Sequence, residues 1–262
     1  MLAEGVSHYD LPTGARLATL VVGSGPPVVC LHGFTGTARR HLGKVLEALS
    51  SDYRLIAPDL RGYGGSRPPL RDFPPDFYDR DSADVAALID RLACGPVLLL
   101  GFSDGAESAL ILAAERPDLV QGVAAWGVSG VVSAEMLSDV QAWLPLEAWG
   151  DDRAAWRAAI VQDHGVEQLV PLITGWVAAA EAIHAAGGDI CLARAGRIAC
   201  PVLLINGAGE VGNTPRDVAA LAQRIPHSRL VWLPNSGHWV HTDQPERFLS
   251  LVRAFLAQCL TA

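Results

Sequence analysis

The chain has 262 residues, half of them hydrophobic and 18% charged. That allows one sizeable core, or a core with an inserted lobe, and excludes disorder. A formal net charge of −8 argues against a surface built for nucleic acid or anionic membrane.

Short apolar runs alternate with helical patterns from the first third onward. RLATLVV (16–22) and PVVCLHG (27–33) predict strands. ARRHLGKVLEAL (38–49) predicts a helix with Leu42, Val45, Leu46 and Leu49 on one face. YRLIAPDL (53–60) is the next strand, and a loop rich in Gly and Pro covers 61–81. SADVAALIDRLA (82–93) reads as a helix with Ser82 as its N-cap. PVLLLGF (96–102) is a buried strand, DGAESALILAAERP (104–117) a helix ended by proline, and VQGVAAWG (120–127) another strand. Residues 131–192 break the rhythm: they read as mainly helical and carry Trp143, Trp149, Trp156 and Trp176. PVLLINGAG (201–209) and RLVWLPNSG (229–237) restart the strands, and QPERFLSLVRAFLAQCL (244–260) closes the chain as a helix. Strands alternating with helices predict an α/β fold, a mostly parallel central sheet with helices on both faces. Its core is expected over 1–130 and 193–262, with 131–192 an inserted helical lid.

The opening MLAEGVSHYD lacks a basic start and an apolar h-region, and no uncharged apolar run reaches ~18 residues. Neither a signal peptide nor a transmembrane helix is expected, and the expected location is cytoplasmic. Cys30, Cys94, Cys191, Cys200 and Cys259 are scattered, with no CxxC pair. Buried thiols are expected, with no disulfide framework and no metal site.

GFSDGA (101–106) joins a buried strand to a helix, and within it Gly101, Ser103 and Gly105 form G-x-S-x-G. That is the context of a nucleophile elbow, a tight turn that lifts a serine above the sheet edge. A serine hydroxyl attacks poorly until a base within hydrogen-bond reach takes its proton and an acid orients that base. His238, in the loop after the last strand, is the candidate base, with His241 three residues later as its competitor. Glu210 is the only carboxylate in the loop leaving the strand PVLLIN before Asp217, and is the candidate acid. The backbone amides of Asp104 and of Phe34, in LHGFTG, are the candidate oxyanion hole. His32 is expected to support that loop by hydrogen bonding. Asp104 has two readings: a carboxylate for a cationic substrate group, or a charge favourable to the first turn of its helix.

The motifs LHGF, PDLRGYGGS, GFSDGA, NGAGE and SGHWVHTDQPERF fall in an order that resembles the α/β-hydrolase superfamily over nearly the whole chain. Three stretches, PDLRGYGGSRPPLRDFPPDFYDRDSADVAALIDRL, GFSDGAESALILAAERP and GGDICLARAGRIACPVLLINGAGE, resemble the valacyclovir hydrolase (biphenyl hydrolase-like) group more closely. The resemblance implies a serine hydrolase for α-amino acid esters, needing no cofactor, in which Asp104 binds the substrate's α-ammonium group. The partner implied is a small-molecule ester, and the chain is expected as a monomer or small homo-oligomer. One departure stands out: the group usually carries aspartate where this chain has Glu210. The alternatives are C–C hydrolase, lyase or perhydrolase chemistry on the same fold, or a ligand-binding homologue weakened at Glu210. The four lid tryptophans are expected mainly as lid core. Asp72, Asp76, Asp79 and Asp81 are expected on a solvated surface.

Overall fold

A computed structural model of the chain describes residues 5–261; the first four residues of the N-terminal stretch read above, MLAE, lie outside the described residues. Eight strands form one sheet: β1 (Gly5–Asp10), β2 (Arg16–Val22), β3 (Pro27–Leu31), β4 (Arg54–Pro58), β5 (Val97–Phe102), β6 (Val120–Trp126), β7 (Val202–Gly207) and β8 (Ser228–Leu233). Their order is β1-β2-β4-β3-β5-β6-β7-β8. The β1–β2 and β2–β4 pairings are antiparallel, and the rest are parallel. Every residue of β5 (VLLLGF) and of β7 (VLLING) is buried, as central strands covered on both faces must be.

Alternation along the strands divides the core between the two faces. Leu99 of β5 and Val123 of β6 pack with α2 (Phe77–Leu92) and α3 (Asp104–Glu115). Leu98, Leu100 and Ala124 pack with α1 (Ala38–Leu49) and the C-terminal helix Pro245–Thr261. Thr37 caps α1, its side chain accepting the Arg40 amide at 3.2 Å.

Between β6 and β7 the chain leaves the sheet as α4 (Ala134–Gln141), α5 (Ala154–His164) and α6 (Leu169–Ala185), joined by short 3-10 turns. The two ends of this excursion meet at its root. Val131 bridges Asp189, Val132 N donates to Gly188 O at 2.7 Å, and Ile190 N donates to Gly130 O at 3.0 Å. The run Val166–Ala185 is long and apolar enough to cross a membrane by composition alone, yet half of it is buried inside the fold. Beyond β7 come α7 (Pro215–Arg224), α8 (Val240–Asp243) and α9 (Pro245–Thr261).

The structure corrects the sequence reading at several places. β1, α7 and α8 were not expected. Helix α2 begins at Phe77 rather than Ser82, and Ser82 is a buried interior residue with no capping role. The reason is tertiary. Arg71, wholly buried, forms a two-pronged ion pair with Asp81 at 2.7 Å on both prongs. Its guanidinium also lies 4.8 Å from the Tyr63 ring centroid and 4.9 Å from that of Phe73. This anchor fixes the first turn of α2, so Asp81 is in the core and not on a solvated surface. Asp72 does remain at the surface, paired with Arg80, and Asp79 meets Arg194. All five cysteines are free thiols.

Candidate active site

Strand β5 delivers Ser103 into the turn that starts α3. Its backbone sits at φ +54°, ψ −122°, a region costly for any residue with a Cβ and held only by over-determining surroundings. Those surroundings require glycine. A Cβ on Gly101 would come within 2.6 Å of Ala106 Cα, and one on Gly105 within 2.5 Å of Leu31 O. The Gly33–Phe34 segment runs directly alongside, since a Cβ on Gly33 would lie 2.8 Å from Ser103 Cβ.

Three side chains from three loops meet here. Ser103 Oγ lies 3.0 Å from His238 Nε2. His238 Nδ1 lies 2.7 Å from Glu210 Oε1. Asn213 Nδ2, which the sequence did not single out, donates to the same Glu210 oxygen at 3.0 Å. The extra methylene of Glu210 is accommodated by a turn back toward β7, in which Glu210 N donates to Gly207 O at 3.2 Å. His241 is elsewhere: it accepts from Trp126 Nε1 at 2.9 Å on Nδ1, and its Nε2 faces His41 O at 3.0 Å. Burial lowers it to about 4, so it is a neutral core histidine. His32 supports its loop as expected. Leu60 N donates to His32 Nε2 at 2.9 Å, and Nδ1 donates to Gly33 O at 2.9 Å.

The turn after β6 backs the His238 ring. Gly127 has φ +65°, and a Cβ there would meet His238 Cε1 at 2.9 Å. Asn206, fully buried on β7, holds this turn by accepting the amides of Gly127 and Val128 at 2.8 and 3.2 Å and donating to Val128 O at 2.9 Å.

Asp104 is buried in the wall of a cavity of about 650 Å³ that contains Ser103 and His238. Tyr78 Oη donates to Asp104 Oδ1 at 2.9 Å, and Trp176 Nε1 donates to Oδ2 at 3.0 Å. Burial raises its carboxyl to about 6, against the opposing pull of Tyr78, Arg71 and Trp176. Neither donor was read from sequence. Trp176 and Asp104 each carried a signal in the sequence, but their pairing did not, and Tyr78 carried none.

Three of the four insertion tryptophans, Trp143, Trp156 and Trp176, line this cavity, whereas lid core was expected. They are packed and cavity-lining at once. Phe34 stacks on Trp143 at 5.7 Å and touches Trp176 at 5.3 Å, and Trp149 backs Trp156 at 4.8 Å. Among the described residues there is no group of three or more His, Cys, Asp or Glu side chains able to hold a metal ion.

Residues 28–251 match the alpha/beta hydrolase family. The chain is 31% identical over 246 residues to serine hydrolase BPHL of Mus musculus, covering 93% of this chain and 84% of that one. It is 30% identical to serine hydrolase BPHL of Homo sapiens, over 87% and 78% of the two chains. In backbone it is similar to E-2-(acetamidomethylene)succinate hydrolase, with a TM-score of 0.77, 22% identity and coverage of 97% and 99%. These likenesses extend across both the sheet and the excursion between β6 and β7, and the chain belongs to the alpha/beta hydrolase family.

Proposed function

We propose that the protein is a serine hydrolase that cleaves carboxylic esters, those of α-amino acids in particular, through an acyl-enzyme on Ser103. The observation that carries this reading is the unbroken chain of hydrogen bonds Ser103–His238–Glu210, at 3.0 and 2.7 Å. Ser103 Oγ attacks the ester carbonyl while His238 Nε2 takes its proton. Glu210 holds His238 with its proton on Nδ1, leaving Nε2 free to accept, and stabilises the imidazolium that forms. The amides of Phe34 and Asp104 stabilise the oxyanion. His238 then protonates the departing alcohol. A water attacks the acyl-enzyme, giving its proton to His238, and the acid leaves as Ser103 recovers its hydrogen.

In this reading Asp104 binds the α-ammonium group. It lies one residue from the nucleophile, in a cavity wall where a carboxylate meets only neutral donors. A carboxylate and an ammonium ~4 Å apart attract by roughly 4 kcal/mol at an effective dielectric of 20, before desolvation. Residues 131–192 act as a lid that excludes water and supplies Trp176 to Asp104. The short Glu210–His238 contact supports catalysis over a binding-only role. The likeness to serine hydrolase BPHL supports the same class of reaction.

The experiment is a comparison of kcat/KM for a valine or phenylalanine ester and its des-amino analogue, alongside labelling with a fluorophosphonate probe. Labelling lost in Ser103→Ala, with a wild-type preference for the amino ester, is the expected outcome. Turnover by Ser103→Ala at the wild-type rate refutes the mechanism. Equal rates on the two esters refute the amino-ester assignment.

A further inference from the structure

A second buried carboxylate lines the same cavity, and the mechanism above does not use it. Glu107 follows Asp104 by three residues on α3, so the two share a helix face with Cβ atoms about 5–6 Å apart. It is only 4% exposed and lines the cavity, as do Met136 and Ile190. Its Oε1 accepts the Gly130 amide at 2.9 Å and the Ser129 amide at 3.4 Å; its Oε2 accepts the Cys191 thiol at 3.1 Å. These are neutral donors, and the thiol is a weak one. No ion pair reaches Glu107 or Asp104 among the described residues. Arg40, the one arginine among the described lining residues, is engaged by Asp163 and Gln162. A glutamine would satisfy two backbone amides as well as a glutamate does. A carboxylate buried without a counter-charge costs several kcal/mol unless a cation joins it. A substrate is already called for here by the cavity's opening on Ser103, so the cation can arrive with it.

We propose that Glu107 reads a second positive charge on the acyl group, so that the preferred substrates are esters of basic α-amino acids. This rests on the amino-ester reading above: the α-ammonium sits on Asp104, next to the nucleophile, and the side-chain cation on Glu107, one helical turn further in. Three residues of helix rise about 4.5 Å, a step that the three or four methylenes of ornithine or lysine span. Met136 and Ile190 contact those methylenes. Besides burial, the groups that act on the charge of Glu107 are the Cys191 thiol beyond α6, the Gly130 and Ser129 amides after β6, and Asp104 on its own helix; the Tyr78 hydroxyl on α2 also faces it and is itself raised by Glu107. Burial, the largest cause, lifts the Glu107 carboxyl to about 7. Binding of the side-chain cation favours its ionised form, so binding near neutral pH releases a proton.

The test compares kcat/KM for the methyl esters of L-lysine, L-norleucine and hexanoic acid, in wild type and in Glu107→Gln. The lysine-to-norleucine ratio reads Glu107, and the norleucine-to-hexanoate ratio reads the α-ammonium site. Wild type is expected to favour lysine by roughly tenfold or more at pH 8, and the variant to bring that ratio near one. A protein that separates norleucine from hexanoate but not lysine from norleucine overturns this inference and leaves the amino-ester reading standing. If no ester is turned over, that reading falls, and calorimetric titration of L-lysinamide against L-norleucinamide still decides: equal affinities overturn the role of Glu107. Should Glu107→Gln fail to fold, wild type alone is sufficient. Its lysine-to-norleucine ratio must rise between pH 6 and 8 once each rate is divided by that ester's own measured fraction of protonated α-amine, because the lysine side-chain charge lowers its α-amino pKa. A flat ratio overturns the proposal.

Discussion

Replacing Asp104 by asparagine should make the protein more stable and less selective at once. Burial raises the Asp104 carboxyl from its ordinary 3.8 to about 6. Between those values the folded protein binds more protons than the unfolded chain, so this group's contribution to stability falls as pH rises and is fully lost above about 6. Asparagine carries no charge and removes that loss. It also keeps both contacts: Trp176 Nε1 donates to its oxygen, and its amide donates to Tyr78 Oη, which turns to accept. Setting the two side chains equal when both are neutral, the variant gains roughly 3 kcal/mol at pH 8 and only about 1 kcal/mol at pH 4.5. Urea denaturation of both proteins across that range measures the difference. The ester comparison measures selectivity, which the variant loses because a neutral amide no longer attracts an ammonium. A stability difference that does not change with pH, or a less stable variant at pH 8, refutes the argument that uncompensated burial of charge dominates at Asp104.

Gly127→Ala places a methyl group against the His238 ring at a positive φ; kcat should fall by on the order of 100-fold with KM little altered, since displacing a base by ~1 Å costs that much. Steady-state kinetics checks it, and an unchanged kcat contradicts the backing role of that turn. Glu210→Gln favours the wrong histidine tautomer, and kcat should drop on the order of 10³- to 10⁴-fold while the fold, followed by circular dichroism, is kept. Arg71→Met strands Asp81 as an unpaired buried charge and should cost about 3–5 kcal/mol in denaturant. Adding Asp81→Leu should return much of that, which a double-mutant cycle reads directly.

The central strands were legible because parallel strands covered on both faces must be continuous apolar runs, as VLLLGF and VLLING are. The edge strand β1 was not, because GVSHYD is mostly exposed and its pairing with β2, not its composition, makes it a strand. Helix α2 was placed five residues late, because its start is secured by Arg71, ten residues before Asp81 in the proline-rich loop. Sequence periodicity carries no trace of such a pair. Ser103, His238 and Glu210 were singled out from local context: a strand–turn–helix, and two loops that leave neighbouring strands. The structure brings them within hydrogen-bonding distance. Asn213, Tyr78 and Glu107 were missed, as was the contact of Trp176 with Asp104, because each acquires its place through an approach between separate elements. Glu107 in particular reads as an ordinary helix glutamate until the turn at Ser129 and Gly130 folds over it.

The indoles of Trp143, Trp156 and Trp176 that wall the cavity give the protein a built-in optical sensor. Four of its seven tryptophans belong to one aromatic cluster around Phe34. Emission from such a cluster responds to whatever displaces solvent or charge beside it, and Trp176 reports on Asp104 through the hydrogen bond they share. Occupancy can therefore be followed by intrinsic fluorescence in the unlabelled chain, including in Ser103→Ala, where no product forms to signal that a ligand has entered.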